Sequence, residues 1–131
     1  MFDCIYNLTL QGIKPIIAHI DRYLHYPKDK LKALYELNPI FQVNSEAFLD
    51  FKGRKKMLEL FYKNHLHVIG SDMHGIKKRK NTLANAYTEL ESRFGEKFIS
   101  YVEDNGEKIL ADEPVKRSAH FPKVNKLKLL F

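Results

Sequence analysis

The residues with the clearest chemical potential lie in the stretch Val68-Ile69-Gly70-Ser71-Asp72-Met73-His74, where small and apolar residues lead directly into an Asp-x-His pair. Carboxylate and imidazole groups are good ligands for divalent transition metals, and buried parallel strands deliver such residues from their carboxyl ends. Asp72 and His74 are therefore candidate metal ligands. A helix-capping Asp beside a surface His is the alternative, because a chain with 6 His and 16 acidic residues produces such pairs by chance.

Two earlier segments end in polar residues in the same way. Residues 14–19 read as a short buried strand that starts near Pro15, where a missing N–H is tolerated, and closes at His19. Residues 40–44 read as a second strand, followed by Ser45. His19 is therefore a third candidate ligand, although a lone His at a strand end is usually a hydrogen-bonded structural residue.

Apolar periodicity predicts the helices that must hold these strands. We expect helices over residues 2–11 and 27–37, a third that follows Gly53 and ends near residues 64–65, a fourth that Asn81 caps, a fifth around residues 98–102, and a last turn over residues 105–110. Alternating helices and strands predict an α/β fold with about three parallel strands and intervening helices. Parallel strands would bring His19, Asp72 and His74 to one face, close enough to share metal ions.

The composition limits the class of protein. A chain of 131 residues with 44% hydrophobic and 29% charged residues is typical of one soluble domain. It contains no apolar run of the roughly 18–20 residues that span a bilayer, and its first residues lack the basic start of a secretory signal. The single cysteine, Cys4, fits a reducing cytoplasm. Leu10 stands six residues after it, so Cys4 lacks the Arg of a Cys-x5-Arg phosphatase, and we interpret it as a core-facing thiol.

The net charge of +6 is concentrated near the carboxyl terminus. Five of the 22 basic residues and none of the 16 acidic ones lie in residues 116–131, which leaves 17 basic residues in residues 1–115. We therefore divide the chain into a nearly neutral body, residues 1–115, and a basic tail, residues 116–131. Such a tail can contact phosphate backbones or anionic lipid. No nucleic-acid-binding motif precedes it, which disfavours a nucleic-acid function.

Four segments in this order resemble the CpsB/CapC family of bacterial tyrosine phosphatases, metal-dependent members of the polymerase and histidinol phosphatase (PHP) superfamily. The resemblance covers about residues 4–115 and rests on these segments: Gly12-Ile13-Lys14-Pro15-Ile16-Ile17-Ala18-His19-Ile20-Asp21-Arg22-Tyr23, Gln42-Val43-Asn44-Ser45, Ser71-Asp72-Met73-His74 and Asn105-Gly106-Glu107-Lys108-Ile109-Leu110.

The family pattern A-H-P-E-R-Y falls on residues 18–23. The resemblance implies that His19 is a metal ligand and that Arg22 is a catalytic residue that contacts the phosphate. Ile20 and Asp21 stand where the family has Pro and Glu. The alternative, in which Arg22 has no catalytic role, is a surface ion pair with Asp21 or with Asp29.

The family pattern S-D-A-H falls on residues 71–74. The resemblance implies that Asp72 and His74 are catalytic metal ligands and that Arg79, which matches a basic residue after the motif, is a second substrate contact. Mixed imidazole and carboxylate ligands suit Mn²⁺, with Fe or Zn as alternatives.

The family's opening strand, with its His-x-His pair, has no counterpart in this chain. The resemblance therefore implies the C-terminal portion of a PHP-type distorted (β/α)7 barrel. It also implies a cytoplasmic phosphatase whose partner is a phosphotyrosine-containing bacterial tyrosine kinase that controls capsule or exopolysaccharide synthesis. We expect low activity from the chain alone, with self-association through its sheet edges or complementation by an N-terminal half. The alternatives are a non-catalytic remnant and a basic nucleic-acid-binding module.

Overall fold

Helices and short parallel strands alternate along the chain in a computed structural model, which describes residues 2–78 and 80–118. The described elements, in chain order, are α1 (Phe2–Leu10), β1 (Ile16–Ile17), a first 3-10 turn (Ile20–Tyr23), α2 (Lys28–Glu36), β2 (Ile40–Asn44), a second 3-10 turn (Ser45–Phe48), α3 (Phe51–Tyr62), β3 (Val68–Gly70), α4 (Leu83–Phe94) and α5 (Glu96–Leu110).

The three strands form one sheet in the order β1-β2-β3, and both pairings are parallel. Ile16 lies opposite Ile40 at one side of the central strand, and Asn44 lies opposite Gly70 at the other. The predicted α/β fold with three parallel strands is therefore confirmed. Because all strands run the same way, the residues after them share one edge of the sheet, and the residues before them share the opposite edge.

The core lies where β2 meets the helices. Phe41 and Val43 of this strand are fully buried and belong to one buried cluster with Met57, Leu60 and Phe61 of α3. Leu58 of α3 is buried as well. The Phe61 ring makes edge contacts with Phe98 and Tyr101 of α5, with ring centroids 4.8 Å and 5.3 Å apart. The apolar face predicted for the third helix is therefore the face that closes the core.

The first strand and the last helix differ from their predicted bounds. β1 spans two residues, because His19 adopts a left-handed conformation that ends the extended backbone. The fifth helix and the separate last turn are one continuous helix, α5, because the side chain of Asn105 is fully buried and hydrogen-bonded. Asn81 accepts a hydrogen bond from the Leu83 N–H as expected of a cap, although Thr82 is the first residue before α4.

Cys4 corrects another expectation. Its side chain is exposed on α1, whose buried position is Ile5, so the thiol does not face the core. The end of α1 agrees with prediction, since Gly12 has a φ of 78° and lies in the turn that closes the helix.

The first residues of the predicted tail are packed against the body. The backbone N–H of Lys116 donates to Asn105 Oδ1 at 2.6 Å, and Ser118 is buried, with its N–H 2.9 Å from Asn64 Oδ1. The packed structure therefore continues through Ser118. The rest of the predicted tail, residues 119–131, lies outside the described residues. Within the described ranges, the helices all lack the length and apolarity needed to cross a bilayer.

Candidate functional site

Polar residues from all three strand ends meet at the carboxyl edge of the sheet. His19 follows β1, Asn44 ends β2, and Asp72 with His74 follows β3. The pairing of Asn44 with Gly70 brings the ends of β2 and β3 level, so the segment after Gly70 passes beside Asn44. This is the edge at which parallel α/β enzymes place their active sites.

Asp72 joins these groups together. Its Oδ2 accepts hydrogen bonds from Arg22 Nη2 and, at 3.3 Å, from Asn44 Nδ2. Arg22 therefore pairs with the candidate ligand itself, and the alternative of a surface pair with Asp21 or Asp29 is wrong. The Asp72 backbone has a φ of 50°, a left-handed conformation that Asp tolerates better than most residues.

His74 lies next to Asp72. Its Nδ1 is 2.7 Å from the Asp72 carbonyl oxygen and 3.7 Å from Asp72 Oδ1. Because a carbonyl oxygen can only accept, this contact puts the ring proton on Nδ1 and the lone pair on Nε2. The imidazole is thus oriented by a backbone carbonyl, which is how proteins commonly orient a histidine ligand.

His19 approaches the site through its turn. Its φ of 42° allows its backbone N–H to donate to Gln42 Oε1 at 2.6 Å, while its ring stacks on Tyr23 with centroids 5.8 Å apart. The ring Nδ1 is buried and has no hydrogen-bond partner among the described residues. A buried imidazole nitrogen without a partner is unfavourable by itself and suits a group that coordinates a further ligand.

Asp21 and Gln42 support this edge through hydrogen bonds. Asp21, at the family's Glu position, accepts a hydrogen bond from the Asn44 backbone N–H at 2.9 Å, which ties the first 3-10 turn to β2. Gln42 anchors His19 and donates to the Val43 carbonyl at 2.6 Å. Sequence reasoning missed Gly70, where a Cβ would come within 2.8 Å of Gln42 Nε2, so a larger residue would displace that side chain from its present position.

The imidazole and carboxylate donors fit a divalent metal, but these side chains do not form a complete set of ligands. Imidazoles and a carboxylate share this edge, and His19 contributes an unpartnered ring nitrogen. Within residues 2–78 and 80–118, however, no three His, Cys, Asp or Glu side chains are grouped closely enough to hold a metal ion. The convergence of His19, Asp72 and His74 on one metal therefore stays a prediction. Arg79, the second predicted substrate contact, lies outside the described residues.

Comparison with known sequences identifies the family. The sequence model described as "Capsular polysaccharide synthesis, CpsB/CapC" matches residues 1–111. The chain belongs to the CpsB/CapC family. Among CpsB/CapC relatives, it is 31% identical over 118 residues to the tyrosine-protein phosphatase CpsB of Streptococcus pneumoniae, covering 82% of this chain and 49% of the relative. It is 29% identical over 122 residues to the tyrosine-protein phosphatase YwqE of Bacillus subtilis, covering 89% of this chain and 48% of the relative.

The fold of this CpsB/CapC chain also matches a solved one. The match is to a chain from the crystal structures of YwqE from Bacillus subtilis and CpsB from Streptococcus pneumoniae, described as unique metal-dependent tyrosine phosphatases. The TM-score is 0.76 at 26% identity, with 95% of this chain and 52% of the solved chain covered. The chain thus spans about half the length of the relatives that it matches.

Proposed function

We propose that the chain carries part of the active site of a metal-dependent protein-tyrosine phosphatase, which hydrolyses the phosphomonoester of phosphotyrosine. The observation that supports this most is the contact of Arg22 with Asp72 beside His74. It joins a phosphate-binding side chain and two candidate metal ligands at one edge of the sheet. Guanidinium groups match phosphoryl oxygens through paired N–H donors, so Arg22 suits the substrate contact.

His19, Asp72 and His74 would hold the metal, for which we propose Mn²⁺, with Fe or Zn as alternatives. When bound, the metal supplies Lewis-acid stabilisation of the charge on the phosphoryl group. Arg22 has five N–H donors, so contact with Asp72 through Nη2 leaves others to bind the phosphoryl oxygens. Its side chain is 40% exposed and is therefore within reach of a substrate.

The remaining polar residues hold this machinery in position. Asn44 orients the Asp72 carboxylate through its amide, and Gln42 fixes the His19 turn. Asp21 holds that turn against β2, which limits the movement of Arg22 one residue later. Precise positioning matters because phosphoryl transfer depends mainly on orientation and electrostatic stabilisation.

The substrate that we propose is a phosphotyrosine-containing bacterial tyrosine kinase that controls capsule or exopolysaccharide synthesis, in the cytoplasm. This assignment rests on the relatives CpsB and YwqE, which are tyrosine-protein phosphatases, and on the capsular polysaccharide synthesis family. We further propose Arg79 as a second substrate contact, residues 1–115 as the partial phosphatase domain and residues 116–131 as its basic extension.

We expect the chain alone to be a weak phosphatase. Two-metal hydrolysis needs ligands on both sides of a metal pair about 3.5–4 Å apart, and this chain offers three candidate ligands. We propose that complementation by the N-terminal half of a relative, or self-association through the edges of β1 and β3, supplies what is missing.

The test is hydrolysis of p-nitrophenyl phosphate and of a phosphotyrosine peptide with added Mn²⁺, by the chain alone and with the N-terminal half of a relative. In the complemented form, Arg22→Lys should lower turnover about 100-fold, since Lys keeps the charge and loses the planar fork, with little change in Mn²⁺ affinity. The control is Arg93→Lys on α4, whose partner is Glu89. Equal turnover in Arg22→Lys would refute the role of Arg22, and full activity of the chain alone would refute the partial site.

A non-catalytic role is the second candidate, because the described residues contain no group of three metal-ligating side chains. Metal stoichiometry distinguishes the two. A partial phosphatase site binds at least one Mn²⁺ per complemented protein, with the affinity reduced by His74→Ala. A non-catalytic remnant binds none in either form.

A further inference from the structure

Three basic side chains lie at the opposite, amino edge of the sheet. Lys14 precedes β1, His67 precedes β3, and Arg117 belongs to the segment after α5. The His67 side chain is fully buried, and its Nε2 lies 2.7 Å from Arg117 Nη1. The amino edge and the Asp72 edge lie at opposite ends of parallel strands, so these residues are separate from the proposed phosphatase site.

The ring of His67 faces more donors than it can satisfy. Its Nδ1 is 2.9 Å from the backbone N–H of Phe41, which can only donate. A neutral imidazole has one lone pair, so Nδ1 accepts this bond and Nε2 carries the proton. Nε2–H then points at the Arg117 guanidinium, which also can only donate. Two N–H donors therefore face each other, and the opposite tautomer would transfer the conflict to Phe41.

The charges around His67 are uncompensated as well. The pKa of Lys14 is lowered by burial and then by Arg117, and burial lowers the pKa of Arg117. Burial, followed by Arg117, His65 and Lys14, lowers the pKa of His67 to about 3. In the described part of the chain, neither Lys14 nor Arg117 pairs with a carboxylate, whereas neighbouring Lys116 pairs with Asp104.

We propose that Lys14, His67 and Arg117 form a second binding site, for a small tetrahedral oxyanion of the phosphate class. When the Arg117 guanidinium moves away from its 2.7 Å contact with His67 Nε2, one anion oxygen accepts hydrogen bonds from both Nε2–H and Nη1, which resolves the donor conflict. The Lys14 ammonium adds positive charge. Lys14 is exposed and Arg117 half-buried, so this movement opens the buried His67 ring to a ligand from solvent. The site does not depend on the proposed phosphatase activity.

The experiment is a titration of the ¹⁵N-histidine-labelled 131-residue chain with inorganic phosphate and, separately, with sulfate, at pH 7.5. The ring nitrogens of His67 are followed by NMR, and sodium chloride at matched ionic strength is the reference. Binding should shift the His67 Nε2 resonance in a saturable manner with either oxyanion, while the exposed ring of His25 remains unchanged. Because His67 is the reporter, phosphate bound near Arg22 does not interfere.

Two variants and a control decide the result. Lys14→Gln and Arg117→Gln should each weaken phosphate binding at least tenfold, and Lys28→Gln, which removes an exposed lysine on α2, should leave it unchanged. Lys14 is exposed, so its variant stays informative if Arg117→Gln fails to fold. The proposal is overturned if chloride shifts the His67 signal equally, if no saturable shift occurs, or if Lys14→Gln binds phosphate as tightly as the unaltered chain.

Discussion

The two edges of the sheet differ in the exposure of the polar side chains that include their histidines. At the amino edge, His67 and Asn105 are fully buried, and Asn105 bonds to backbone groups of two separate segments. At the carboxyl edge, the side chains of Arg22 and His74 are 40% and 58% exposed. The presence of residues that can bind metals or transfer protons does not by itself identify an active site, because both edges carry histidines. The exposure of the Arg22 and His74 side chains distinguishes the candidate active site from the amino edge, while left-handed residues occur at both, as at Asp72 and at Asn64.

Among the substitutions considered at the two edges, we expect Asn105→Ala to have the largest effect on stability. The Asn105 amide donates to the carbonyls of His67 and Lys116, both at 3.1 Å, and accepts from the Lys116 N–H at 2.6 Å. Asn105→Ala leaves these backbone groups unsatisfied and should lower the free energy of unfolding by about 3 kcal/mol, measured by urea denaturation. Asn85→Ala, at an exposed position of α4, is the control and should change stability by less than about 0.5 kcal/mol. Equal effects of the two variants would show that the Asn105 hydrogen bonds do not stabilise the amino edge.

The next prediction concerns the pH dependence of the free energy of unfolding, to which His67 at the amino edge contributes. The pKa of His67 is lowered to about 3, whereas an unfolded chain has the ordinary value near 6.5. Between these values only the unfolded state binds the proton, so the stabilising contribution is complete above pH 6.5 and is lost as the pH falls towards 3. The free energy of unfolding should fall by about 1–2 kcal/mol between pH 6.5 and pH 5 on account of His67.

The measurement is urea denaturation across that range in a phosphate-free buffer. His67→Gln should reduce the slope of the pH dependence, and the remainder should come from His65, whose pKa burial lowers to about 4. His25→Gln, which changes an exposed ring, should retain the full slope. An unchanged slope in His67→Gln would show that this ring takes up protons in the folded chain and is not a structural element of the amino edge.

The sequence predicted the order of elements well because helical periodicity and strand-ending polar residues are local signals. β2 was predicted with its observed bounds, since Asn38-Pro39 and Ser45 mark both its ends. The pairing of Arg22 with Asp72 could not be derived from spacing, because it joins residues 50 positions apart through two turns. The prediction of a separate last turn over residues 105–110 was wrong because it, too, depended on long-range contacts. The buried contacts that keep α5 continuous come from residues 67 and 116, which no local pattern connects to Asn105.

A smaller effect is expected at Gly70, which lies on β3 just before the carboxyl edge. A Cβ there would come within 2.8 Å of Gln42 Nε2, so Gly70→Ala should displace this flexible side chain and destabilise the fold by about 1 kcal/mol. Loss of the Gln42 contact should also speed hydrogen exchange at the His19 amide, which NMR can follow. Gly106→Ala is the control, since a Cβ on this α5 glycine meets nothing within 4 Å and should stabilise the helix by up to about 1 kcal/mol. An unchanged rate of hydrogen exchange at the His19 amide would show that Gly70 does not help to hold the His19 turn.

The smallest effect on stability is expected at Asp72, which we propose as a metal ligand. Asp72→Asn removes the charge that pairs with Arg22, but this pair is partly exposed, and such pairs contribute only about 0–1 kcal/mol. Asn also tolerates the left-handed backbone at this position at least as well as Asp. The free energy of unfolding should therefore change by less than about 0.5 kcal/mol in urea, while Mn²⁺ affinity of the complemented protein, measured by calorimetry, should fall at least tenfold because a charged ligand is lost. A loss of more than 2 kcal/mol in stability with unchanged Mn²⁺ affinity would reverse the assignment, and the carboxyl edge would then be a structural junction like the amino one.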